Sequence, residues 1–259
     1  MITRLKREKN GIMRNGENIK TIDTLFAGDI IELKLTDEKC NIFPVKGNLN
    51  ILFEDEYIIA VDKPYNMPVH PTKVHQEDTL ANIVAFYQIQ KGESYVFRAI
   101  NRLDKDTSGI VVIAKDKHTA HMLFECIDKT YRAVCEGKVL YPATIRKPLK
   151  LLDGHSIQRT ASYEGEDSVT RYYPIKVLKN HTFVEFKLET GHTHQIRCHM
   201  SGIGHPLAGD DMYGGSLEFI NRQALHCCQV SFIHPVTKEK IEIFSELPAD
   251  ISELKRSDT

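Results

Sequence analysis

The stretch 98–115, RAINRLDKDTSGIVVIAK, constrains the fold more than any other part of the chain. Two apolar, strand-like pieces, 99–100 and 110–114, flank a tight polar turn. The turn carries two carboxylates, Asp104 and Asp106, with Arg102, Lys105, Thr107, Ser108 and Gly109. Asp and Ser can bond their own backbone and Gly tolerates positive φ, so Asp106-Thr-Ser-Gly has turn chemistry. That reads Asp106 as a brace of the turn and Asp104, just before it, as the chemical carboxylate. A turn between two buried strands is a rigid platform for a reacting group. An ordinary hairpin with solvated charges has the same pattern, so the pattern alone leaves both readings open.

Around this stretch, strands outnumber helices. Residues 57–61 form a short continuous apolar run, as in a buried strand. Pro64, Pro68 and Pro71 then force an extended loop. Asp78 is placed to cap a helix with Leu80, Ile83, Val84 and Tyr87 on one face, ended by Gly92. Asp116 is placed to cap a second, with Ala120, Leu123, Phe124 and Ile127 inward. Residues 131–135 read as a strand. Residues 169–177 and 182–188 alternate and are joined by Lys179-Asn180-His181, a hairpin. Thr193 is placed to cap a short helix through Met200, closed by Gly202 and Gly204. Residues 229–233 and 240–244 make a last hairpin, and the tail 255–259 reads as frayed. Residues 140–165 are basic and weakly patterned, either an RNA-facing loop or hairpin or a solvated connection. The predicted class is α+β, with a mixed, mostly antiparallel central sheet flanked by helices.

The first 35 residues differ in character. Residues 1–20 hold Arg4, Lys6, Arg7, Lys9, Arg14 and Lys20 against Glu8 and Glu17. They include an Asn15-Gly16 turn signal, and a turn and strand follow over 26–33. Residues 36–49 read as a linker. The whole chain has a net charge of −1, so a basic surface must be local. Six cysteines without a C-x-x-C pair read as reduced thiols in a cytoplasmic protein. The N-terminus has no apolar signal-peptide core, and no apolar run approaches membrane-spanning length.

RLDKDTSGIVVIAK resembles the signature of the RluA family of pseudouridine synthases, usually H-R-L-D-x-D-T-S-G. Further segments match in order. AVDKPYNMPVHPT (60–72) resembles N-K-P-x-G-x-x-V-H-P, and KTYRAVCEG (129–137) resembles K-x-Y-x-A-x-V-x-G. ETGHTHQIRCHMSGIGHPLAGDDMYGG (189–215) resembles T-G-R-T-H-Q-I-R-x-H…G-H-P-L-x-G-D-x-x-Y-G. ALHCCQVSFIHP (224–235) resembles L-H-A-x-x-L-x-F-x-H-P. The N-terminal piece resembles the second half of an S4-like RNA-binding domain with its helical half shortened or missing. It reads as an RNA-holding appendage or a β-extension. The resemblance thus divides the chain into a truncated S4-like segment (1–40), a linker (41–50) and a pseudouridine synthase catalytic domain (51–252).

The resemblance implies an enzyme that isomerises uridines in structured RNA, ribosomal or transfer, with the target base flipped out. Nothing is oxidised, so the reaction requires no redox cofactor and no metal. A carboxylate suits an oxocarbenium-like ribose centre, the role implied for Asp104. A guanidinium beside it favours its charged form, the role of Arg197. A phenol can stack on uracil or serve a late proton transfer, the role of Tyr131. Arg102 is implied to fill the space left by the extruded nucleotide. Thr193, His194 and Gln195 are candidate RNA contacts, or braces of a helix start. Asn101, His192 and Cys198 depart from the usual His, Arg and aliphatic residues without removing a catalytic group. A monomer is the expected state. Two rivals remain. The run His192, His194, His199 and His205 suggests a metal hydrolase but lacks ligand spacing. A catalytically idle RNA-binding assembly factor would have lost Asp104, Tyr131 or Arg197, and all three are present.

Overall fold

A computed structural model describes residues 5, 10–33, 41–124, 126–155 and 157–258. The basic residues Arg4, Lys6, Arg7 and Lys9, Cys40, linker residues 36–39 and the last residue, Thr259, lie outside the described residues. The chain separates into two units, Met1–Lys39 and Cys40–Thr259.

In the first unit, β1 (Ile12–Arg14), β2 (Glu17–Asn18) and β3 (Ile31–Leu33) form an antiparallel sheet in the order β2-β1-β3. Asn15 and Gly16 both take positive φ, as the Asn-Gly signal predicts for a two-residue hairpin turn. The Asn15 side chain bridges to the next turn, donating to Asp29 Oδ1 at 2.9 Å and accepting from Ile30 N at 2.8 Å.

The second unit begins with residues 41–49, which carry neither helix nor strand. The unit runs β4 (Asn50–Glu54), β5 (Ile58–Lys63), α1 (Leu80–Lys91), β6 (Arg98–Ala99), β7 (Ser108–Ala114), α2 (Lys117–Leu123) and β8 (Asp128–Glu136). It continues through β9 (Ala143–Arg146), β10 (Leu149–Leu151), β11 (Arg159–Ala161), β12 (Val169–Val177), β13 (His181–Leu188) and α3 (Gln195–Ser201). A single 3₁₀ turn (Asp211–Tyr213), β14 (Leu225–Ile233), β15 (Lys240–Phe244) and α4 (Ala249–Ser257) complete it. The main sheet has the order β4-β5-β7-β14-β8-β13-β12-β9, with β6 added to β7 and β15 to β14. Its pairings are antiparallel except β7 with β14. This is the mixed α+β sheet expected from the hairpin-rich pattern. Residues 58–61 of β5 and 110–114 of β7 are continuous apolar runs buried on both faces, as central strands require.

The β7–β14 contact fixes the central turn. Ser108 and Gly109 lie opposite His226 and Cys227. Gly109 has φ +116°, and a Cβ there would lie 2.3 Å from the Cys227 carbonyl oxygen. Only glycine permits both the backbone conformation and the close approach. Asn101, where the family more often has His, joins the sheet through its amide. It donates to the Ile110 carbonyl and accepts from Val112 N, both at 2.9 Å.

Several local expectations are corrected. α1 starts one residue later than predicted. Thr79 and Asn82 form a capping box, while Asp78 is engaged by His75 Nδ1 at 2.6 Å. Gly92 closes α1 in the left-handed conformation as predicted. Asp116 caps α2, but α2 ends at Leu123, so Phe124 falls past its last turn and is exposed. Residues 140–165 contain β9, which joins the main sheet, and the separate β10–β11 hairpin. The tail is not frayed: α4 runs into it, and Asp258 accepts hydrogen bonds from Asn180 N, His181 N and His181 Nδ1 at 2.9, 3.0 and 2.9 Å.

Candidate active site

Asp104, Tyr131 and Arg197 line one cleft, together with Arg102, His192 and His194. The cleft opens to solvent.

Asp104 sits in the extended loop between β6 and β7. Its carbonyl accepts from Thr107 N at 3.1 Å, which closes the turn. The Asp106 carboxylate is not the brace expected from its turn chemistry; no described residue donates to it. The bracing comes from two buried cations. Lys63 Nζ donates to the carbonyls of Pro64, Met67 and Lys105, and Arg222 Nη1 donates to the Asp106 carbonyl at 3.0 Å. Burial pushes the Lys63 pKa down to about 7, and the Asp104 and Asp106 charges oppose that shift.

Arg197 projects from α3 and is held from two sides. Nε and Nη2 donate to the two Asp210 oxygens at 2.7 Å each. This is a bidentate grip, the geometry that suits a planar guanidinium to a carboxylate. Nη1 donates to Asp104 Oδ2 at 3.0 Å. Its face lies over the Tyr213 ring, 5.1 Å from the centroid. Burial works against the charge, but the Asp210 and Asp104 carboxylates outweigh it and raise the pKa, so the guanidinium stays ionised. Asp104 Oδ1 receives no hydrogen bond from any described residue.

His194, not Thr193, is the residue preceding the first turn of α3. It takes φ 57° and ψ 17°. That left-handed conformation is strained for a residue with a Cβ. Its Nδ1 lies 3.1 Å from the Tyr213 hydroxyl and its Nε2 3.7 Å from Asp104 Oδ2. Tyr213 Oη already accepts from Arg159 N at 2.8 Å. The two His194 ring nitrogens thus face Tyr213 and Asp104. Burial lowers the His194 pKa, keeping the ring neutral near pH 7.

Tyr131 lies on β8 between Phe186 of β13 and Cys227 of β14. It is 6% exposed. Burial, then the neighbouring Cys227 and Asp104, push its phenol pKa well above the usual value, so it is a neutral hydroxyl. Arg102 is exposed on the cleft wall and makes no hydrogen bond to a described residue.

The remaining candidates differ in position. Gln195 lines the cleft but is buried, with its amide committed inside the protein. Its oxygen accepts from Thr190 Oγ1 and His192 N, and its nitrogen donates to Val169 O and Thr170 Oγ1. Thr193 is half-buried and does not line the cleft. His192 pairs with Glu166, and both His199 nitrogens are engaged, by Thr170 Oγ1 and Lys147 O. Among the described residues, no group of three or more His, Cys, Asp or Glu could hold a metal ion. Asp210 and Tyr213 are not singled out by the sequence. Both stand in the G-D-x-x-Y-G segment, but their partner on α3 is visible only in three dimensions.

With this geometry established, comparisons with known proteins are informative. The family described as RNA pseudouridylate synthase matches residues 57–202. The uncharacterized RNA pseudouridine synthase YhcT of Bacillus subtilis is 37% identical over 94% of this chain and 83% of its own. The ribosomal large subunit pseudouridine synthase D of Zymomonas mobilis is 32% identical over 97% of this chain and 89% of its own. Among solved structures, human RNA pseudouridylate synthase domain containing 1 superposes with TM-score 0.61 at 22% identity, covering 81% of this chain and 94% of that one. That likeness concerns the fold. No helix among the described residues is long and apolar enough to cross a membrane.

Proposed function

The chain belongs to the RNA pseudouridylate synthase family, of the RluA type, and from that premise we propose that its substrate is a uridine of structured ribosomal RNA. The enzyme is an isomerase that forms pseudouridine. The ribosomal substrate is supported by relatives named for the ribosomal large subunit, including the one from Zymomonas mobilis.

The reaction breaks C1′–N1, turns the uracil and rejoins it through C5, with the C5 proton lost and N1 reprotonated. In this reading Asp104 acts on the ribose, by adding to C1′ or by removing the C2′ proton. Both routes need an ionised carboxylate with one oxygen free. The observation that carries the reading is the Arg197 bond to Asp104 Oδ2, which orients the carboxylate and leaves Oδ1 for the substrate. His194 adds a neutral imidazole on the same side. Tyr131, a neutral phenol within a wall of the cleft, stacks on the turned uracil or relays the C5 proton. Arg102 enters the duplex position vacated by the flipped uridine, which costs a few kcal/mol and least in loops. The enzyme works without metal or redox cofactor, as a cytoplasmic monomer. The first unit serves as a shortened S4-like RNA-holding piece, joined to a catalytic domain over 51–252.

The test is site-resolved carbodiimide mapping of ribosomal RNA from cells with and without the gene. The reading requires at least one pseudouridine that vanishes with the gene and returns when purified protein is added to that RNA. Identical maps from both strains would refute it.

A further inference from the structure

Lys129 is a cation at the edge of the cleft that forms no ion pair with any described residue. Side chains alternate along β8, so Lys129 shares a face with Tyr131. The register that sets Lys187 opposite Thr130 brings Lys129 abreast of Leu188, which lines the cleft. Its Nζ lies 3.7 Å from where a side chain on Gly191 would begin, next to the cleft residue His192.

Two buried lysines elsewhere are satisfied. Lys63 donates to three carbonyls, and Lys115 is paired with Glu54 at 2.9 Å and Glu93 at 3.1 Å. Lys129 is half-buried, and no described residue accepts a hydrogen bond from it or pairs with it. Asp128 precedes it, and its charge partly offsets the effect of burial on Lys129, but alternation turns that side chain to the opposite face and the two form no ion pair. Cys227 is close, yet burial pushes its thiol up to about 12, so it supplies no negative charge. Burial lowers the Lys129 pKa, because the ammonium has lost water. What it lacks is an anion, and an ammonium is a compact partner for phosphate.

We infer that Lys129 binds a backbone phosphate of the substrate RNA beside the nucleotide that enters the cleft. The inference rests on the reading of the cleft as an RNA-modifying site. A phosphate contact is made equally in the ground state and the transition state, so it acts on KM more than on kcat.

The experiment measures binding of deproteinised large-subunit ribosomal RNA, taken from cells lacking the gene, across a series of salt concentrations. Wild-type protein, Lys129→Gln and Lys129→Arg are compared, with thermal unfolding run on each. Lys129→Gln should bind severalfold more weakly, and its log K against log salt slope should flatten by about 1. KM should rise severalfold with kcat unchanged, and Lys129→Arg should restore affinity and slope. An unchanged slope in equally stable Lys129→Gln, or no recovery with arginine, would overturn the assignment. If wild-type protein forms no pseudouridine in this RNA, the ribosomal-substrate reading fails instead, so the two failures are distinguishable.

Discussion

Arg197 donates to Asp104 at 3.0 Å with one guanidinium nitrogen while Asp210 holds two others at 2.7 Å each. The two carboxylates have different surroundings. The Asp210 side chain is wholly buried, whereas that of Asp104 is 24% exposed. One positions the cation and the other is presented by it.

That asymmetry predicts unequal stability effects. Asp210→Asn breaks a buried ion pair and should lower unfolding free energy by about 3 kcal/mol. Asp104→Asn should lower it by less than about 1 kcal/mol, because Arg197 keeps its bidentate partner. Urea denaturation of the two variants makes the comparison.

Tyr131→Phe keeps the ring and its packing and removes only the hydroxyl. If that hydroxyl takes part in proton transfer, turnover should fall by about 10²- to 10⁴-fold with RNA affinity unchanged. Because the phenol pKa is raised, the wild-type pH–rate profile should show no inflection from this group below about pH 10. Single-turnover assays across pH test both statements.

Gly109→Ala should be costly although it adds one methyl group. The new Cβ would meet the Cys227 carbonyl in a backbone conformation that alanine avoids. Strain and overpacking together should remove about 3 kcal/mol. Turnover should fall too, because β7 carries the Asp104 turn. A denaturation curve with wild-type midpoint would contradict this.

The carboxyl terminus is predicted to stabilise the fold in a pH-dependent way. Burial would raise the Asp258 pKa, but bonds from Asn180 and His181 outweigh it and lower the value. A carboxyl with a depressed folded pKa stabilises above its unfolded value, near pH 4, and loses that as pH falls through the folded value. Wild type should therefore melt higher than Asp258→Asn at pH 7, and the two should converge in acid. Calorimetry at both pH values decides it.

Much of this is legible in the residues, for identifiable reasons. Hairpins with strict alternation or an Asn-Gly turn declare themselves, as at Asn15-Gly16 and across β12–β13, because both signals are local. The start of α1 is off by one because two capping residues, Asp78 and Thr79, compete. His75 decides that case, and no spacing rule reports it. The α3 start escapes sequence reading because His194 adopts a left-handed conformation that tertiary contacts impose and propensity disfavours. Asp104, Tyr131 and Arg197 are found through long ordered motifs. Asp210 and Arg222 go unassigned because their roles are defined by partners distant in sequence, and Lys63 because its link to the Asp104 turn runs through the distant Lys105 carbonyl.

The central claim is that the Asp104 carboxylate performs the chemistry while the rest of the cleft holds the RNA. The most direct measurement pairs pseudouridine formation with RNA binding in Asp104→Asn, using ribosomal RNA from cells lacking the gene. The account predicts product formation below detection, with RNA affinity and melting temperature both close to wild type. Pseudouridine formed by Asp104→Asn at the wild-type rate would contradict it.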